Sequence, residues 1–271
     1  MSADTPADTT AVSVPPAPGR GRERLSAVLW PLASFAAFLL AWQVLARSFG
    51  VPEYILPVPS EFFPKLLQDR ALITEHALIT ASEVLLGFFL ATVLSVPLGF
   101  LIVSIRVLEK ALYPLIVFFQ LVPKIAIAPL FVVWFGFGLY PKVLLTFLLC
   151  FFPTLVASMT GFRALDERVL FLTRSMGASW WQTFRYIRVP AALTYIFAGL
   201  KVSIVFAVTG AIVGEFVGAN SGLGYLLLRG TSYLDMPLIF ACLVALSIVG
   251  IAFSYAVQLM EYVLMPWQRR S

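Results

Sequence analysis

Six apolar runs, each about as long as a bilayer is thick, constrain this chain more than any other feature. They lie near residues 25–46, 81–105, 111–135, 141–161, 194–217 and 236–260. A hydrocarbon core roughly 30 Å thick is crossed by about 20 helical residues. The runs mix Leu, Phe, Ala and Val without alternation of period two, which disfavours a lipid-facing barrel. In lipid each backbone polar group must be bonded within the protein, so a helical bundle is expected. The composition supports this: 60% of the 271 residues are hydrophobic and 12% charged, far from the balance of a soluble domain. The expectation is an all-α membrane protein with six transmembrane helices.

Orientation follows from the basic residues of the connections. With the N-terminus cytoplasmic, twelve arginines and lysines fall on the inner side, and five, Arg47, Lys65, Arg70, Lys142 and Arg229, on the outer side. Both termini and the polar insert at 163–190 are therefore expected inside. The net charge of +5 reads as a topology signal and does not suggest a nucleic-acid partner.

Residues 1–24, rich in Pro, Thr, Ala and Asp and ending in the basic cluster GRGRER, read as a disordered cytoplasmic tail. No small-residue cleavage site ends the first run, which is expected to be retained as a helix. Cys150 and Cys242 both lie within apolar runs and suggest packing, with no disulfide or metal framework. In the outer loop, Ser60 and Glu61 read as the start of a short amphipathic helix to about Gln68 that could lie flat on the outer interface. His76 is the only histidine; a metal site needs several converging ligands, so it is expected to be a solvated or interfacial residue of that loop.

Pro97, Pro114, Pro123, Pro129 and Pro153 fall inside the expected spans, where each removes a backbone hydrogen bond and tends to kink the helix. Lys124 lies between two of them, in QLVPKIAIAPLFVVWFGFG, near the middle of the third span. An intramembrane charge is costly and should face protein or a watery path. Lys124 could line such a path and favour an anionic substrate, or it could snorkel or pair structurally. Gln120 is a further path candidate. Lys201 is expected to snorkel. Glu215 lies in GAIVGEFVGANSGLGYLL, where Gly210, Gly214 and Gly218 recur every fourth residue and offer another helix a smooth face. It could line a path, although a role within that packing is favoured.

The insert at 163–190 reads RALDERVLFLTRSMGASWWQTFRYIRVP. Asp166 is suited to cap a helix over 167–176, and Gly177 to end it in the left-handed conformation. Ser179 followed by Gln182 has capping-box spacing, and Pro190 is expected to force an exit before the fifth span. Two short helices joined around Gly177 would lie along the membrane surface, with Trp180, Trp181, Phe184 and Tyr186 at the interface.

The run TRSMGASWWQTFRYIRVPAALTYIFAGLKVS resembles the cytoplasmic loop of permease subunits in binding-protein-dependent ABC importers. The pattern there is Glu-Ala-Ala, three residues, Gly, nine residues, Ile, one residue, Leu-Pro. Gly177, Ile187 and Pro190 match, Val189 replaces the leucine, and Phe171, Leu172 and Thr173 stand at the Glu-Ala-Ala positions. Further similarity, in PKIAIAPLFVVWFGFG and EFVGANSGLGYL, is greatest to the nitrate, sulfonate and taurine branch, which also includes permeases for pyrimidine precursors and riboflavin-like compounds.

The resemblance implies a type I ABC importer permease fold over 25–266, a cytoplasmic coupling loop at 163–190 and a short C-terminal tail at 267–271. It implies a loop that docks on an ATPase through Asp166, Thr173, Arg174, Ser175, Met176, Gly177, Ala178, Ser179, Ile187 and Pro190. The implied partners are a second permease copy, two ATP-binding cassette subunits and an extracytoplasmic substrate-binding protein, in the bacterial cytoplasmic membrane. The chain contains no G-x-x-x-x-G-K-[ST] phosphate loop, so ATP and Mg are expected on the ATPase, and this subunit is not itself an enzyme. An ion-coupled secondary transporter is the competing reading, but only Glu215 offers an intramembrane carboxylate relay and no repeat is evident. An intramembrane enzyme would need a nucleophile and base, or a metal cluster, that the sequence does not supply.

Overall fold

A computed structural model describes residues 20–267, and the side chains of all of these except 20–28 and 167. Most of the expected N-terminal tail and the last four residues lie outside this range. Among the described residues there is no β-strand. The chain divides into two compact units, the first ending at Val51 and the second spanning Pro52–Ser271.

The first unit contains helix α1, Arg20–Ser48, which begins within the stretch 1–24 expected as a tail. Its stretch Leu29–Ser48 is long and apolar enough to cross a membrane.

The second unit begins with α2, Pro59–Gln68. Its N-cap is Val58, one residue before Pro59 and two before the expected Ser60, and the Glu61 carboxylate accepts the Val58 N–H at 2.8 Å. Phe62 is buried and stacks on Phe240 with ring centroids 5.8 Å apart, so α2 packs on the bundle instead of lying free on lipid. Lys65 bridges Asp69 at 3.1 Å and Asp235 at 3.4 Å. The hydrogen bond that Lys65 donates to the Asp69 carboxylate raises the Lys65 pKa above its ordinary value.

Three long helices form the core: α3 (Arg70–Ser104), α6 (Leu139–Arg163) and α9 (Val189–Gly218). Small residues let them approach closely. A Cβ added at Gly99 would fall 2.8 Å from the Ser158 side chain, and one at Gly210 would fall 2.7 Å from Thr146 Cα. Gly87 meets Thr146 and Gly99 meets Ser158, so α3 and α6 run parallel. Gly161 meets Ala192 while Gly214 meets Lys142, so α9 runs antiparallel to α6. Thr154 and Ser203 hydroxyls bond across α6 and α9 at 2.7 Å, which satisfies polar groups that lipid could not. Outward side chains such as Leu85, Phe89 and Val205 are exposed and apolar, as a lipid-facing surface requires.

Because α3 and α6 are parallel, the segment between them must return the chain to the starting side. It does so as a broken helix. Helix α4 (Arg106–Leu121) is followed by a 3-10 turn, Lys124–Ile127, and α5 (Ala128–Phe135), with a bend of 78° at the break. The third run was expected as one kinked span. Pro123 marks the break: it has no N–H to continue α4, and a residue before proline avoids the helical region, as Val122 does with ψ 131°. Pro97, Pro114 and Pro153 are accommodated without interrupting their helices. Helix α11, Met236–Leu264, completes the bundle. With the bent pair counted as one span, the described residues contain six candidate crossings.

Candidate functional site

At one end of the core, helix α7 (Glu167–Ser175) and helix α8 (Trp180–Thr183) follow α6. The Asp166 carboxylate accepts the Arg168 N–H at 2.9 Å and caps α7. The helix ends in a Schellman arrangement: Ala178 N–H bonds Thr173 C=O and Gly177 N–H bonds Arg174 C=O, both at 3.0 Å, with Gly177 at φ +77°. Ser179 and Gln182 form both bonds of a capping box, at 2.8 and 3.2 Å. The backbone at these caps is thus satisfied locally, which leaves many of the side chains around Gly177 exposed. Met176 is 84% exposed, and Arg174, Ser175 and Ser179 are exposed as well, while Thr173, Ala178 and Ile187 are half-buried.

Pro190 does not end a helix. It lies in the first turn of α9, after a π-helical turn, Phe184–Arg188, in which Val189 N–H bonds Phe184 C=O. That wider turn absorbs the N–H that proline lacks. The result is one continuous apolar helix, Trp180–Gly218. Phe100 of α3 packs on Phe184 at 4.8 Å, and Arg163 pairs with Glu109, so the loop shares its end of the bundle with the α3–α4 turn.

The opposite end holds a buried polar knot. On α3, His76, Thr80 and Glu83 follow one helical stripe, all buried. They face the N-terminus of α10, Leu223–Ser232, whose first amides have no intrahelical partner. The Gly222 N–H donates to His76 Nδ1 and the Leu223 N–H to Thr80 Oγ1, both at 2.8 Å, and the Gly224 N–H donates to Glu215 Oε2. Thr80 Oγ1 in turn donates to Glu215 Oε1 at 2.7 Å. Beside this cap, Lys142 Nζ donates to Glu83 Oε1 at 2.6 Å. His76 is therefore a helix residue bonded to α10, not a solvated loop residue. Lys142, counted with the outer loops in the sequence, is 4% exposed.

The path candidates are not gathered in one place. Lys124 Nζ donates to the Gln120 carbonyl at 2.8 Å and lies 5.0 Å from the centre of the Phe152 ring, so it is half-buried at the helix break. Gln120 is exposed beside it. Glu215 belongs to the knot, 0% exposed. Lys201 pairs with Glu261 at 2.5 Å. Glu83 and Thr80 escaped the sequence reading because they sit at the edge of an apolar run; the spacing of His76, Thr80 and Glu83 on one helical face was the signal available.

Residues 83–270 match the family of binding-protein-dependent transport system inner membrane components. The chain belongs to this family. It is 36% identical over 243 residues to the formylaminopyrimidine transport permease protein ThiX of Halalkalibacterium halodurans, covering 89% of this chain and 97% of that one. It is 35% identical to the riboflavin transport system permease protein RibX of Chloroflexus aurantiacus, covering 88% and 91%. It is 30% identical to the putative aliphatic sulfonates transport permease protein SsuC of Bacillus subtilis, covering 96% and 94%. In architecture it resembles a chain of the inward-facing MetNI methionine ABC transporter, with a TM-score of 0.55 at 18% identity, over 69% of this chain and 97% of that one. The fold is accordingly that of a type I ABC importer permease, a multi-pass inner-membrane subunit. Members of this family are permeases and not enzymes; the ATPase is a separate subunit, and a substrate-binding protein is a further partner.

Proposed function

We propose that two copies of this chain form the translocation pathway of an importer, with two ATPase subunits that bind ATP and Mg, and that the loop at 163–190 docks on one of them. The exposed, locally capped pair α7 and α8 carries this reading. A loop whose backbone needs no tertiary partner can present its side chains to another protein and move with it. ATP can drive alternating access only if the ATPase contacts differ between the inward-open and outward-open states. The excess of basic residues in the connections on the loop side supports a cytoplasmic position for the loop and both termini.

For the substrate, the favoured class is a small planar nitrogen heterocycle of the pyrimidine-precursor or riboflavin-like kind. This follows the relatives at 36% and 35% identity. An organic anion such as a sulfonate is the second reading, supported by the relative at 30% identity and by Lys124. The Lys124 ammonium already has the Gln120 carbonyl and the Phe152 ring as partners, which weakens its claim to a substrate anion. Titrating the substrate-binding protein that copurifies with the assembled importer with pyrimidines, flavins, taurine, alkanesulfonates and nitrate tests the choice. Saturable binding of a heterocycle alone supports the first reading, and binding of a sulfonate, taurine or nitrate alone replaces it with the second.

A further inference from the structure

The polar knot, at the end of the bundle opposite the loop, leaves one atom without a donor. Among the described residues, Glu83 Oε2 is sealed from solvent and has no hydrogen-bond partner. The donors around it are engaged elsewhere. Lys142 Nζ donates to Glu83 Oε1 at 2.6 Å and lies 3.4 Å from the Ser221 carbonyl, while Thr80 Oγ1 and the Gly224 N–H both donate to Glu215. What remains beside Glu83 is the Glu215 carboxyl. Thr80 and Glu83 are three residues apart on one face of α3, and Glu215, bonded to Thr80, is within hydrogen-bonding reach of Glu83 as well. Two carboxylates have no donor to offer each other, whereas a carboxyl and a carboxylate share one.

The charges around this pair do not balance either. Glu83 and Glu215 are both fully buried, and among the described residues the cation paired with them is Lys142 alone. His76 accepts the Gly222 N–H on Nδ1, so its ring is neutral. The next charged groups, Glu75 and Arg229, act on His76, are exposed and have opposite signs, so they leave the count unchanged. With both carboxyls ionised, the knot would bury one uncompensated negative charge, which is strongly unfavourable. The amides at the start of α10 favour an ionised Glu215, and Lys142 favours an ionised Glu83. Two carboxylates that share a site resolve such a conflict by keeping one proton between them. A metal ion in its place would need several further oxygen ligands, but the groups around the pair are an ammonium and N–H donors.

We infer that Glu83 and Glu215 hold one shared proton at neutral pH, and that this proton joins α3 to the corner formed by α9 and α10. Its release leaves two anions facing each other and loosens the hold of α3 on the start of α10. The knot is then a pH-sensitive latch. This rests on the geometry of the knot alone and is independent of the substrate and of what docks on the loop.

The test combines infrared difference spectroscopy of the full chain in nanodiscs with its equilibrium unfolding in mixed micelles. At neutral pH the wild type should show the C=O stretch of a buried, protonated carboxyl, shifted by deuteration. Glu215→Gln and Glu83→Gln each put an amide N–H in place of the proton, and each should remove that band. The folded chain holds a proton that the unfolded chain releases above the ordinary carboxyl pKa of about 4.3. Relative to Glu215→Gln, the wild-type unfolding constant should therefore rise about tenfold per pH unit from about pH 5, until the folded protein loses the proton too. Stability from this proton is thus complete in acid and falls as the pH rises. Absence of the band from the wild type overturns the inference, as does a band that survives either variant, or an equal pH slope in the wild type and Glu215→Gln. Stabilisation by sodium over choline at constant ionic strength, with no such band, would put a metal cation between the carboxylates and overturn it as well. Should Glu215→Gln fail to fold, Glu83→Gln serves as the reference for the same comparison.

Discussion

The two ends of the bundle satisfy their polar groups in opposite ways. In the knot, the amides at the start of α10 are capped by side chains from α3 and α9, so removing any one member strands a partner on another helix. In the loop, every cap comes from a residue within a few positions along the chain, and most of the described side chains of α7 are exposed. The first arrangement fixes helices against each other. The second can be displaced as a unit and is suited to a partner that moves.

The comparison breaks most severely at Lys142. Lys142→Met leaves the Glu83 carboxylate buried without its cation, a loss of about 3–5 kcal/mol, to be read as a lower melting temperature of the purified protein. Glu83→Gln/Lys142→Gln removes both charges and should recover much of that loss. A double variant no more stable than the single one would show that the loss does not come from an unpaired Glu83 carboxylate. Next is Gly222→Ala, where an added Cβ would fall on the Glu215 carboxylate in a backbone at φ +109°; the expected destabilisation is about 1–3 kcal/mol, again read by melting.

In the loop, Gly177→Val meets no neighbour, since nothing lies within 4 Å of an added Cβ. Its cost comes from φ +77° alone, about 1–2 kcal/mol for a residue forced into the left-handed region. The bundle should melt as the wild type does, while transport per ATP hydrolysed falls or the ATPase is lost from the complex. The smallest effect is expected for Ser179→Ala, about 1 kcal/mol of local helix stability, seen as faster amide exchange at Trp181 and Gln182 with unchanged melting. If either loop variant lowers global melting as much as Gly222→Ala does, the loop is part of the fold's framework and the contrast between the two ends fails.

Much of this contrast was legible in the sequence, but unevenly. Asp166, Gly177, Ser179 and Gln182 act through backbone groups a few residues away, so their types and spacing sufficed to read the loop. The apolar runs gave the crossings for the same reason, since period and length are local properties. The knot depends on pairings across more than fifty residues, such as Glu83 with Lys142, and a lysine near the edge of an apolar run reads as a loop charge until α3 is seen beside α6. Pro190 misled because its effect depends on the register of the turn before it. Pro123 signalled a kink, but the 78° bend emerged only from the packing of α4 and α5.

The central claim is that the loop at 163–190 is where the ATPase docks. Met176→Cys tests it directly: Cys150 and Cys242 are fully buried, so the new thiol at an 84% exposed position is the accessible site for a thiol-reactive crosslinker. In the assembled transporter it should crosslink to the ATPase, and the yield should change when ATP is added. An unreacted loop, in a complex where a cysteine at exposed Tyr54 crosslinks to the ATPase instead, would contradict the account.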